Sequence, residues 1–123
     1  MITPGQAVQT YPQLARLFEM RSTPPAWHFT QTLGPDGEVH AVVGVRVWSD
    51  GYADSMGILG QEDVQALRVN PNGEKVWKST DTLAVVLDEL AALPAPGQQN
   101  APHLAIAGSV HELHHLRGLP RAQ

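Results

Sequence analysis

His111-Glu112-Leu113-His114-His115 is the stretch of this sequence whose residue types and spacing could do chemistry. On a helix, residues four apart share a face, so the imidazoles of His111 and His115 could hold zinc while Glu112 polarises a bound water. Zinc is thus the one cofactor the sequence raises, with His111 and His115 as ligands and Glu112 as base only where zinc is bound. Two histidines do not complete a site, because catalytic zinc takes three protein ligands and an open position. His103 or a second subunit would have to supply the third. Four of the six histidines fall in the last 21 residues, a density at which so short a pattern arises easily by chance.

Continued to Gly118, the segment HELHHLRG resembles the extended zinc-peptidase pattern of the metzincins, H-E-x-x-H-x-x-G-x-x-H. The resemblance implies zinc-dependent hydrolysis. It departs from the family at Arg121, a fixed cation where the family has its third histidine. Adventitious binding of zinc or nickel by His111, His114 and His115 is the simpler expectation, and no residue is assigned as catalytic.

Other chemistry is thinner. The serines lie in turn-like or linker-like contexts, and Gly57-Ile58-Leu59-Gly60 does not continue into a phosphate-cradling loop. Asp50, Asp54, Glu62 and Asp63 read as solvated acids of turns. The net charge of −4, with no Lys/Arg cluster, speaks against duplex DNA as a partner. No apolar run approaches the roughly 20 residues of a membrane span, and the N-terminus lacks the pattern of a secretory signal. The chain has no cysteine, which excludes disulfides and thiolate metal sites; a cytoplasmic protein is expected.

The elements that must position these residues follow from the hydrophobic pattern. With 123 residues, 42% hydrophobic and 16% charged, the chain suits one α+β domain over 1–94, followed by a linker and arm over 95–123. A first helix is expected over 10–21, with Thr10 as N-cap and Leu14, Leu17 and Phe18 as its stripe. Strands are expected over 27–33, 39–48, 52–59, 64–70 and 74–78, forming an antiparallel meander. A helix over 81–93 presents Leu83, Val86, Leu87 and Leu90 at i, i+3, i+4 and i+7. Beyond the linker-like 95–102, a short strand at 103–107 and a short helix at 110–117 complete the arm.

Alternation in VHAVVGVRVW puts Val39, Ala41, Val43, Val45 and Val47 on one face of the second strand. Loops of Pro35-Asp36-Gly37 and Pro71-Asn72-Gly73 set Leu33 opposite Val39, Phe29 opposite Val43, Trp27 opposite Val45 and Leu67 opposite Trp77. A two-residue turn at Asp50-Gly51 sets Ser49 opposite Tyr52, Met56 opposite Val45 and Ile58 opposite Val43. The valine face is then the core under both helices. His28, Thr30, His40, Arg46 and Trp48 share the open face and form the expected binding surface. The functional reading is a small non-enzymatic interaction or regulatory protein, self-associating, that meets a protein partner through this face or the C-terminal arm. Its alternatives are a zinc-dependent hydrolase using the HELHH segment and binding of single-stranded nucleic acid on the face bearing Trp48.

Overall fold

A computed structural model describes residues 1–19 and 25–106. Two short helices, α1 (Pro4–Thr10) and α2 (Ala15–Glu19), flank a 3-10 turn at Pro12–Leu14. Five strands follow: β1 (His28–Leu33), β2 (Val39–Val47), β3 (Ala53–Gly60), β4 (Asp63–Val69) and β5 (Lys75–Asp81). Helix α3 (Leu83–Ala92) comes next. The strands form one antiparallel sheet in sequence order, so the fold is α+β.

The N-terminus is helical earlier than its pattern suggests. Thr3 and Gln6 form a capping box: the Thr3 hydroxyl accepts from the Gln6 amide at 3.1 Å, and Gln6 Oε1 accepts from the Thr3 amide at 2.8 Å. Pro4 occupies the first turn, where its missing N–H costs nothing. Thr10 therefore ends α1 instead of capping a later helix, and Pro12 forces the break at Tyr11. At the other end, Thr82 caps α3, because β5 runs on to Asp81.

Three tight turns connect the strands with one chemistry. Gly37, Gly51 and Gly73 each take a positive φ, at 81°, 94° and 82°. The loops at Pro35-Asp36-Gly37 and Pro71-Asn72-Gly73 are those the sequence suggests. The middle loop is Ser49-Asp50-Gly51, one residue longer than expected, and pairs Trp48 with Tyr52.

Beyond the outer two loops the register slips. Thr32 pairs with Ala41 and Leu33 with Val39, so His40 is an extra residue in β2; Arg68 pairs with Trp77 and Val69 with Lys75, so Val76 is an extra residue in β5. Each bulge exchanges the faces of everything beyond it, since side chains alternate with period two. Phe29 consequently pairs with Gly44, not Val43, and Leu67 with Lys78, not Trp77. The longer middle loop likewise sets Met56 opposite Gly44 and Ile58 opposite Val42. The helices cover the face of Phe29, Val42, Met56, Ile58, Val64 and Ala66, all buried, and against it lie Ala7, Leu14, Leu17, Leu83, Val86, Leu87 and Leu90. The valine face of β2, expected inside, points outward: Val45 is 36% exposed and Val47 60%.

The helices are tied down by few polar contacts. The Leu83 amide donates to the Gln61 carbonyl at 2.8 Å, Ser79 Oγ bonds to Glu89, and Arg16 pairs with Asp88 between α2 and α3. Residues 95–106 turn back along β5, where the Ile106 amide donates to the Lys75 carbonyl at 2.8 Å. No helix among the described residues is long and apolar enough to cross a membrane.

Candidate functional site

Two faces of one sheet divide the residues singled out by the sequence. On the outward face, pairing runs in rows across the strands. One row is Thr30, Val43, Gly57, Gln65 and Thr80, and the next is His28, Val45, Ser55, Leu67 and Lys78. A third contains Val47, Ala53, Val69 and Lys75. None of these side chains is buried. The rows carry Val43, Val45 and Val47 on β2 and Leu67 and Val69 on β4, with Ala53, Ser55 and Gly57 of β3 between them and Gln65 beside Gly57, and are polar at the margins on β1 and β5. They contain no carboxylate.

His28 and Thr30 belong to this face. His40 is the extra residue of the β2 bulge and is exposed. Arg46 and Trp48 are not with them. The β2 bulge that turns Val42 and Gly44 towards the helices turns Arg46 the same way, and its partners lie on that side.

Those partners form the last row of the covered face, where Arg46 pairs with Asp54, Asp54 with Arg68 and Arg68 with Trp77. Asp54 and Arg68 are fully buried. Asp54 Oδ1 accepts from Arg68 Nε at 2.6 Å; Oδ2 accepts from Arg46 Nε at 2.8 Å, Trp48 Nε1 at 3.0 Å and Arg68 Nη2 at 3.0 Å. Arg68 Nη1 reaches the Pro94 carbonyl at 2.6 Å and so anchors the chain leaving α3. Arg46 lies 4.9 Å from the Trp27 ring and 4.8 Å from that of Trp48, and Arg68 lies 5.5 Å from the latter. Burial pushes the Asp54 carboxyl up, but the hydrogen bonds from Arg68, Trp48 and Arg46, with the charge of Arg68, more than offset it. Its pKa lies below the usual carboxylate range.

Asp54 is therefore not the solvated turn acid its surroundings in the sequence suggested. A signal was present: Asp54, Met56 and Ile58 share a parity, as do Arg68, Ala66 and Val64, so an acid and a base each continue a buried row. Reading it required the correct register.

His111, Glu112 and His115 lie outside the described residues. Among the described residues no group of three or more His, Cys, Asp or Glu side chains is placed to hold a metal ion. Comparison of the chain with protein-family models, curated proteins and solved structures finds no match.

Proposed function

We propose that this chain is a small non-enzymatic interaction protein, acting on a protein partner that seats against the outward face of its sheet. The observation that carries this reading is the composition of that face. Val43, Val45 and Val47 on β2 and Leu67 and Val69 on β4 stand in its rows without being buried, on either side of Ala53, Ser55 and Gly57, while His28, Thr30, Thr80 and Lys78 stand at its margins. An apolar centre within a polar border is the anatomy of a protein interface, and monomeric proteins seldom leave large contiguous apolar patches in water. The rigid scaffold is on the other side: the helices and buried row hold the sheet, so the outward face is free to vary with the partner. A regulatory role fits a module that contributes binding alone, and the cysteine-free sequence suits the reducing cytoplasm.

Site-specific photocrosslinking in cells tests this. A photoreactive amino acid at Val47 should give one major adduct, and Val45→Lys, which places a charge in the centre of the face, should abolish it. The same group at Ala84, exposed on α3 on the far side of the molecule, should give no such adduct. Equal labelling from both positions, or an adduct indifferent to Val45→Lys, would refute the assignment of the face.

A further inference from the structure

The buried row carries more positive charge than its own residues balance. Arg46 and Arg68 supply two cations to the single carboxylate of Asp54, whose oxygens already accept four N–H donors. Three of these donors converge on Oδ2 alone, the oxygen that Arg46 reaches, so that oxygen has no capacity left for a second bond from Arg46. Arg68 is well used, through Nε and Nη2 on Asp54 and Nη1 on Pro94. Arg46 is not. It contributes only Nε, and its two Nη nitrogens have no acceptor among the described residues. Its side chain is 11% exposed, which leaves the guanidinium a narrow opening to solvent.

A second donor in the same place is also without a partner. Trp27 is 5% exposed, its Nε1 is buried, and that atom has no hydrogen-bond acceptor. Buried donors are ordinarily satisfied, because an unmade bond forfeits the solvation of the group. The Trp27 ring is the one that lies 4.9 Å from the Arg46 guanidinium, with Trp48 at 4.8 Å.

We propose that the free edge of Arg46, flanked by Trp27 and Trp48, is a binding site for a carboxylate, which accepts two parallel N–H bonds from the guanidinium and neutralises the surplus charge. The match is geometric as well as electrical. A carboxylate is planar and can pair with the guanidinium fork in its own plane through two parallel N–H bonds. The carboxylate belongs either to a small organic acid or to an acidic side chain of a peptide. The site is on the opposite side of the sheet from the outward valine face and does not depend on the function proposed for that face.

The experiment is a titration of the full chain with sodium acetate, with a hexaglutamate peptide and with sulfate at constant ionic strength, read by tryptophan fluorescence. Acetate should give a saturable change that sulfate does not compete away. Arg46→Gln should abolish it; Asp54 keeps both bonds from Arg68 in that variant, and a thermal melt checks that it is folded. Arg46→Lys keeps a cation beside Asp54 and removes the planar fork, so it should weaken acetate about tenfold, and it carries the test alone should Arg46→Gln fail to fold. Tighter binding of the peptide than of acetate assigns the site to acidic side chains, and binding of acetate alone assigns it to small acids. The proposal is overturned by the absence of saturation with either carboxylate, by equal competition from sulfate, or by unaltered affinity in Arg46→Lys.

Discussion

Asp54 is the residue on which the end of the sheet depends, because it accepts from three side chains drawn from two strands and the loop following one of them. Replacing a buried ion pair wholesale with apolar groups is often harmless, but removing one partner leaves an uncompensated charge in a dry site. Asp54→Asn strands two guanidiniums at once and should cost about 3–5 kcal/mol in chemical denaturation. The pH dependence has a definite sign. The folded-state pKa is below the unfolded value of 3.8, so the stabilisation is fully present above that value and is lost as pH falls through the lower, folded one. Urea midpoints measured downwards from about pH 5 should therefore fall more steeply in the natural chain than in Asp54→Asn. Parallel acid limbs in the two proteins would show that other carboxylates govern acid unfolding.

At the scale of elements the decisive features are the bulges at His40 and Val76 and the length of the middle loop, and they separate what the sequence discloses from what it does not. The five strands, the outer two loops and the stripe of α3 are legible because each is written locally: in alternation, in a Pro-x-Gly turn, in an i, i+3, i+4, i+7 repeat. Which face is inside is not written locally in β2, since both parities carry valines. His40 decides it by being left unpaired, which brings Phe29 over Gly44 rather than Val43. The glycine is what makes that packing feasible: a Cβ at position 44 would lie 2.6 Å from Phe29 Cε1. Gly44→Ala should accordingly cost about 1–3 kcal/mol through overpacking, against almost nothing on an open face. A paired comparison tests the facing directly. Val42→Ala, at a fully buried position, should cost about 2 kcal/mol, whereas Val45→Ala should cost less than about 1 kcal/mol. The reverse order, read from urea midpoints, would mean that the valine face is the core after all. The buried row was obscured for the same reason, because Arg46, Asp54 and Arg68 become neighbours only once register is known.

For the whole molecule, the consequence is a sheet with one covered face, one outward face and two edges that the terminal segments partly occupy. The Ile2 amide donates to the Phe29 carbonyl beside β1, and the Ile106 amide to the Lys75 carbonyl beside β5, so strand addition is obstructed at these points of both edges. Its surroundings bear on what it can meet. Asp36 and Glu38 lie at the β1–β2 turn and Glu62 at the β3–β4 turn, while Asp50 and Glu74 lie at the turns of the opposite end. The outward rows, which carry Lys75 and Lys78 on β5 and no carboxylate, are thus bordered at both ends by acids, on a chain of net charge −4. Two copies meeting face to face bring like-charged borders together, and that repulsion is screened only when the Debye length, about 10 Å at 0.1 M salt, becomes shorter than their separation. Self-association should therefore depend on salt in the direction opposite to an ordinary ion-paired interface. Light scattering should give the 13.3 kDa of one chain at low ionic strength and a mass that rises with concentration at high ionic strength. Val45→Lys, which adds a buried charge to any such contact, should hold the mass at one chain throughout. A mass independent of salt, or a rise that Val45→Lys leaves intact, would mean that the outward face is not where copies of this chain meet.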